Sequence, residues 1–340
     1  MSLRPVLRFL GRLMLLLGAA QLLPAGVAWW YGETGAMGAF VLAALVTGVS
    51  GALMWWLGRG EGHLYRREGI LIVVGGWVLA SLFGAVPYVF TGVLPSPVDA
   101  LFESASGFTT TGATVLLDIE GAGRATLFWR SFTQWLGGMG IIVLFVALLP
   151  EVGPGARFLY KLEVPGPTAE ALRPRIRDTA AILWRIYLTL TVAETGLLMI
   201  GGLDLYDALT HTFSTLSTGG FSPRGASIAA FPSPFVQLVI VVFMVIAGGN
   251  FSLYFGLRKR RGWNVLRDFE FRVYLMILAA VSMVVAFDLW RADGYPFSGR
   301  VFLDSLFQVT SITTTTGFAT VDFDQWPVLS RMLLLAVMFM

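Results

Sequence analysis

Apolar positions in this chain come in long unbroken runs, not at the alternating or three-to-four spacing of a half-buried element. Seven runs cover about 13–31, 36–57, 69–92, 127–150, 180–203, 235–257 and 272–290, and an eighth opens near Trp326. Each complete run has the roughly 20 residues that a helix needs to cross the hydrocarbon core of a bilayer. The first run follows Arg4, Arg8 and Arg12 and has the outline of a signal peptide, yet it continues through Trp29-Trp30-Tyr31, an aromatic cluster suited to a membrane interface. The pattern predicts an all-α polytopic membrane protein.

Composition sharpens this. Of 340 residues 56% are hydrophobic and only 13% charged, against about 25% charged in soluble domains. With no cysteine, thiol nucleophiles, disulfides and cysteine metal sites are excluded, and the two histidines, His63 and His211, are too far apart in sequence to suggest a histidine-rich metal site. No Gly-Lys-(Ser/Thr) phosphate loop is present, so this chain is not expected to hydrolyse ATP. Where the basic residues lie gives an orientation. With the N-terminus in the cytoplasm, the segments 1–12, 58–68, 151–178 and 257–272 carry 17 Lys and Arg and the outer segments carry five, as the positive-inside rule requires. The clusters Arg173-Pro174-Arg175-Ile176-Arg177 and Arg258-Lys259-Arg260-Arg261 read equally well as orientation signals and as contacts for lipid headgroups or a cytosolic partner. No nucleic-acid partner is expected.

Three outer segments are too polar to face lipid. They run from Asp99 to Gly112, from Asp207 to Gly220 and from Asp304 to Gly317; each opens Asp-(Ala/Ser)-Leu, reaches its glycine 13 residues later through Ser, Thr or Gly, and lies between two apolar runs. The chain is thus an internal repeat of span, short segment, span, preceded by two extra spans. Aspartate at the start predicts an N-cap and a short helix of two to three turns. The Ser/Thr/Gly tail is a poor helix, and non-helical backbone at membrane depth survives only inside protein or along a water-filled path. Free carbonyls there replace the hydration shell of a cation, and glycine permits the positive φ that turns successive carbonyls to one side. Close helix packing by small residues is the plainer explanation of a single cluster; three matched copies favour a pore element.

At these residues the chain resembles the Trk/Ktr/HKT superfamily of potassium transporters, in particular TrkH-type membrane subunits. Further runs share the resemblance: Arg67-Glu68-Gly69, Gln134-Trp135-Leu136-Gly137-Gly138-Met139-Gly140, Glu163-Val164-Pro165-Gly166-Pro167 and the cluster from Arg173 to Arg177. The resemblance implies repeated helix–pore loop–helix units around a pseudo-fourfold central pore and potassium uptake across the bacterial cytoplasmic (inner) membrane. It implies a homodimer working with a cytosolic nucleotide-binding regulatory subunit, surrounded by membrane lipid, with the potassium ion as cargo and no covalent cofactor. The filter is then Thr110, Thr111 and Gly112, Thr218, Gly219 and Gly220, and Thr315, Thr316 and Gly317. Potassium is met by Thr110, Thr111, Thr218, Gly219, Thr315 and Thr316. In the second copy two glycines leave a register one residue either way, and the spacing of 13 from Asp207 favours Gly220. In the superfamily a glycine at this position goes with potassium selectivity and a serine with sodium preference. The units are 1–60 (two extra helices), 61–178, 179–270 and 271–340, the last an incomplete third repeat; a gate loop and a fourth repeat are expected past Met340, and residues 1–340 alone are not expected to close a pore.

Other polar residues fall in suggestive places. Glu103, His211 and Gln308 each follow their aspartate by four residues and are expected to support the pore helix, either by adding potential near the filter or by bonding backbone behind it. Glu194 lies within a span, where a carboxylate is a functional candidate by default; a packing partner such as Arg or Thr is the expected explanation. Asp288 lies near an outer end. Gly248-Gly249-Asn250 marks either a helix break or a close crossing. A polytopic membrane enzyme, or an ion-coupled carrier of an organic solute, is the alternative class; the first needs His or carboxylate clusters at the bilayer edge, the second intramembrane ionisable pairs. The orientation is testable directly, because the chain has no cysteine of its own. An Arg175→Cys variant should resist an impermeant thiol reagent added outside intact cells and react after the membrane is opened.

Overall fold

The computed structural model describes residues 3–60, 65–140, 176–249, 268–292 and 298–339, and every regular element among them is helical. The chain divides into two compact units, residues 1–185 and 186–340.

In the first unit, α1 (Leu3–Trp30) and α2 (Thr34–Leu57) form an antiparallel hairpin turned by Tyr31-Gly32-Glu33. Their backbones approach closely where glycines face each other: a Cβ on Gly51 would lie 2.8 Å from both the Gly11 carbonyl oxygen and the Met14 Cβ. Helices in lipid gain no hydrophobic drive toward one another, so such close contact supplies the attraction. Helix α3 (Arg66–Phe90) packs beside α1, where Gln21 Nε2 donates to the Phe83 carbonyl at 3.0 Å. A short helix α4 (Pro97–Phe108) follows. At 12 residues it is about 18 Å long, too short to cross a membrane. Its end is gripped from two sides. A Cβ on Gly84 would meet the Phe108 ring at 2.5 Å, and one on Gly137, in α5 (Arg124–Gly138), would run into the Phe108 carbonyl. The Trp129 indole of α5 donates to the Gly84 carbonyl at 3.0 Å and completes the clasp.

In the second unit, α6 (Ile176–Ile200, which begins in the first), α7 (Leu205–Leu216) and α8 (Pro234–Gly248) repeat the order long, short, intermediate. Then come α9 (Phe269–Arg291), α10 (Gly299–Thr313) and α11 (Val328–Val337). Leu278, Val285 and Leu289 of α9 pack on Val309 of α10, Leu334 of α11 and Trp326.

Among the described residues, five helices are long and apolar enough to cross a membrane: Leu3–Trp30, Thr34–Leu57, Arg67–Phe90, Ala180–Ile200 and Phe269–Arg291. Two expected runs differ. The helix opening the run 127–150 stops at Gly138, because Gly140 at φ +68° sends its N–H back to the Gly137 carbonyl at 2.7 Å and ends the ladder. The helix of the run 235–257 stops at Gly248, at the expected glycine pair, and Gly249 is already extended. Residues 141–150 and 250–257, with the basic clusters, lie outside the described residues or at their edge.

The clasp around Phe108 has a measurable consequence. Gly137→Ala should destabilise the protein by about 1–3 kcal/mol, the usual cost of overpacking, and lower its thermal midpoint in detergent. Gly26→Ala, whose Cβ meets nothing within 4 Å, should leave the midpoint in place.

Candidate functional site

Each of the three short helices α4, α7 and α10 leads into one of the polar segments. At their N-termini the expectation needs correction. The caps are Ser96, Asp204 and Ser298, whose side chains accept the N–H of Asp99, Asp207 and Val301. Asp99 and Asp207 therefore sit one turn inside the helix, and Asp304 deeper still. The reason is local: Pro97, with no N–H to lose, occupies the first helical position after Ser96, and Asp204 caps the second helix three residues before Asp207. Asp207 and Asp304 serve instead as anchors. Asp207 pairs with Arg224, and Asp304 pairs with Arg300 (3.0 Å) and accepts from Thr320 Oγ1 (3.0 Å).

The C-termini end alike. In the first copy Thr110 N–H donates to the Gly107 carbonyl (3.1 Å) and Thr111 N–H to the Ser106 carbonyl (2.9 Å). This is the Schellman arrangement that satisfies the last carbonyls of a helix. Thr218 and Gly219 make the same bonds to Thr215 and Ser214 (3.0 and 2.9 Å), and Thr315 and Thr316 to Ile312 and Ser311 (3.0 and 2.9 Å). The residue after the cap is normally glycine, because it must turn left-handed. Here it is threonine three times, Thr110 at φ +56°, Thr218 at +51° and Thr315 at +59°. A β-branched residue in that region is strained by roughly 1–3 kcal/mol. Two residues on, Gly112 and Gly220 lie at φ +75° and Gly317 at +82°.

Positive φ at alternate positions turns successive peptide planes the same way, whereas the carbonyls of an ordinary strand point to alternate sides. Among the described residues nothing donates to the carbonyls of Thr110, Thr111 and Gly112, or to those of Thr315, Thr316 and Gly317. In the second unit two of these segments touch: a Cβ on Gly220 would run into the Thr316 carbonyl. The loops beyond them interlock as well, Ala229 N–H donating to the Ala319 carbonyl (3.0 Å) and Ala319 N–H to Ser227 Oγ (3.3 Å). The first segment belongs to the other unit.

Glu103, His211 and Gln308 occupy equivalent places and brace the chain leaving each segment. Glu103 is fully buried; its carboxylate accepts from Val115 N–H (3.0 Å), from Thr114 Oγ1 (2.9 Å) and from Arg130 Nε (2.7 Å). Arg130, equally buried in α5, also reaches Thr114 Oγ1 at 3.1 Å. His211 Nδ1 lies 2.7 Å from the Asp207 carbonyl, which can only accept, so the proton sits on Nδ1 and Nε2 accepts from Ser222 Oγ at 2.9 Å. Burial pushes this imidazole below its ordinary 6.5, partly offset by the Asp207 carbonyl, so the brace works with a neutral ring. Phe231 and Phe318 enclose it. Gln308 Nε2 reaches the Val321 carbonyl at 3.4 Å.

The roles of several residues escaped the sequence reading. Arg130 lies inside the apolar run 127–150, where an arginine is itself a signal. Ser106, Ser214 and Ser311 follow each aspartate by seven residues, a regularity visible once the copies are aligned. Glu33, at the hairpin tip, accepts from the backbone N–H groups of Arg124 (2.7 Å) and Ala125 (3.1 Å) and caps α5 from outside. Asp288 does the same for α11, accepting from Ser330 N–H (3.1 Å) and Ser330 Oγ (2.6 Å). Glu194 is buried with neither carboxylate oxygen bonded. Thr215, a neighbour of the expected kind, lies beside it and donates its hydroxyl to the His211 carbonyl at 2.8 Å.

Among the described residues no three His, Asp or Glu side chains converge as metal ligands. What the segments offer is neutral oxygen, from carbonyls and hydroxyls, on short helices set among apolar spans. That chemistry and this all-helical fold define a multi-pass membrane protein that handles cations. Residues 37–340 match the family model TrkH, described as cation transport protein, and the chain belongs to that family. The family is one of transporters, not enzymes. The chain is 41% identical over 346 residues to the Trk system potassium uptake protein TrkH of Escherichia coli K12, covering 100% of this chain and 71% of that protein. It is 36% identical over 328 residues to the Trk system potassium uptake protein TrkG of the same strain, covering 95% and 67%. The crystal structure of the potassium transporter TrkH from Vibrio parahaemolyticus superposes with a TM-score of 0.85 at 38% identity, over 99% of this chain and 70% of that one.

The buried pair behind the first segment yields a stability prediction. Arg130→Ala leaves the Glu103 carboxylate buried without its charge partner and should cost about 3–5 kcal/mol, read as a large drop in thermal midpoint. The double variant Glu103→Gln with Arg130→Met should recover part of that loss.

Proposed function

We propose that this chain takes up potassium through a filter of backbone carbonyls, as the pore-forming subunit of a Trk-type system. The observation that carries the reading is the repeated turn: three short helices end in the same hydrogen bonds, with positive φ at Thr110, Thr218 and Thr315 and again at Gly112, Gly220 and Gly317. Such backbone holds its carbonyls away from helical partners and offers them to an ion stripped of water. Potassium contacts are assigned to Thr110, Thr111, Thr218, Gly219, Thr315 and Thr316. The shared φ at Gly112, Gly220 and Gly317 supports the register with Gly220 in the second copy. Glu103, His211 and Gln308 act as supports behind the filter, through hydrogen bonds and not as ion ligands.

The pseudo-fourfold arrangement around one pore, the division into helices 1–60 and repeats 61–178, 179–270 and 271–340, and a cytoplasmic N-terminus in a bacterial inner membrane belong to the same reading. So do a homodimer and a cytosolic nucleotide-binding regulatory partner. The names of the E. coli and Vibrio relatives, with their identities of 41% and 38%, support potassium as the cargo.

The test is Gly112→Ser in the full-length protein. A side chain at φ +75° is strained, and it disturbs the strand whose carbonyls replace the hydration shell. Competing-ion uptake should show the potassium-to-sodium ratio falling about tenfold, equivalent to about 1.4 kcal/mol, with normal insertion. Gly26→Ser, on an open face of α1, should keep the wild-type ratio. Wild-type selectivity in a normally inserted Gly112→Ser protein would sink the filter assignment.

A further inference from the structure

The serine seven residues after each aspartate holds the polar segment on both sides of its glycine. In the first copy the Ser106 carbonyl accepts Thr111 N–H at 2.9 Å, and the Ser106 hydroxyl donates to the Ala113 carbonyl at 2.6 Å. In the third, the Ser311 carbonyl accepts Thr316 N–H (2.9 Å) and Gly317 N–H (3.2 Å), and the Ser311 hydroxyl donates to the Phe318 carbonyl at 2.7 Å. One residue of the short helix thus grips the strand just before the glycine and just after it. The carbonyls between those two grips are the ones left unbonded. The hydroxyl bond turns the next carbonyl, that of Ala113 or Phe318, back toward the helix and so ends the row.

The second copy lacks half of this device. The Ser214 carbonyl accepts Gly219 N–H (2.9 Å) and Gly220 N–H (3.5 Å), but its buried hydroxyl has no partner. We propose that Ser106 and Ser311 are positioning residues for ion selectivity, each hydroxyl fixing the direction of the last filter carbonyl by tethering the peptide after it, and that the second quarter works without this tether. The proposal rests on the filter reading given above. Its physical basis is that the orientation of the glycine carbonyl depends on the peptide planes on either side. Tethering the following plane removes its freedom to rotate, without adding a ligand to the ion path.

The experiment compares Ser106→Ala, Ser214→Ala and Ser311→Ala in the full-length protein, with uptake of potassium and sodium measured in competition and membrane abundance measured alongside. One neutral hydrogen bond corresponds to about fivefold in an equilibrium. Ser106→Ala and Ser311→Ala should therefore lower the potassium-to-sodium ratio by about fivefold, and Ser214→Ala, which removes no bond, by less than about twofold. Ser106→Cys keeps the side-chain volume but offers only a weak donor, and it should follow Ser106→Ala; it also carries the test should the alanine variant fail to accumulate. Equal effects at all three serines, or a wild-type ratio in Ser106→Cys beside a lowered one in Ser106→Ala, would overturn the tether and point to packing. Wild-type ratios in all the serine variants, with Gly112→Ser still unselective, would overturn the tether and leave the filter reading standing. A silent Gly112→Ser removes the filter reading itself.

Discussion

A carbonyl at membrane depth has to be bonded by protein or put to use, because hydrocarbon offers it nothing. The rest of the arrangement depends on how the short helices α4, α7 and α10 meet that demand. Their last carbonyls are satisfied by N–H groups one and two residues past the cap, and this requires a left-handed residue at Thr110, Thr218 and Thr315. Glycine would take that conformation without strain; threonine takes it only because its surroundings hold it there. The Thr109 and Thr314 hydroxyls help, each bonded to the carbonyl four residues back and to the threonine two residues on, Thr111 or Thr316. The strain and the free carbonyls come from the same turn.

Holding such a turn needs braces, and the copies solve this with different chemistry at one helical position. The first uses a buried ion pair, Glu103 with Arg130, and thereby also fixes α5. The second uses a neutral imidazole whose tautomer is dictated by the Asp207 carbonyl. The third uses an amide, Gln308, with Asp304 and Thr320 adding a second tie. Buried ion pairs contribute little net stability after desolvation, yet breaking one is costly. The Glu103–Arg130 pair is therefore better understood as fixing geometry than as a source of stability. The variety explains why a search for one shared side chain at this position finds nothing, while the hydrogen bonds to the exit strand recur.

The two extra helices reach this machinery through backbone. Glycine contacts bring α1 and α2 together, and Glu33 at their tip satisfies the first amides of α5, the helix that also carries Arg130 and presses Gly137 against Phe108. In the other unit Asp288 of α9 does the same for α11. A carboxylate placed on the positive end of a neighbouring helix is favourable, and here it fixes the angle at which the chain returns after the first and third polar segments.

The amino-acid sequence by itself determined the membrane class, most of the spans, the three polar segments and their glycines. These are written in local properties, the length of apolar runs and the residues that permit positive φ, and need no knowledge of the chain's path. The neighbours of Glu103, His211 and Gln308, the serine grip, the capping by Glu33 and the true helix starts at Ser96 and Asp204 were decided only by the tertiary structure. Glu103 meets Arg130 across 27 residues and Glu33 meets Arg124 across 91. A polar group's partner depends on which backbone passes within about 3 Å of it, and hydrophobic periodicity carries no record of that. The helix α5 shows both sides: its apolar run announced a span, but its end at Gly138 came from a left-handed Gly140 and its position from Phe108, which only the folded chain brings against Gly137.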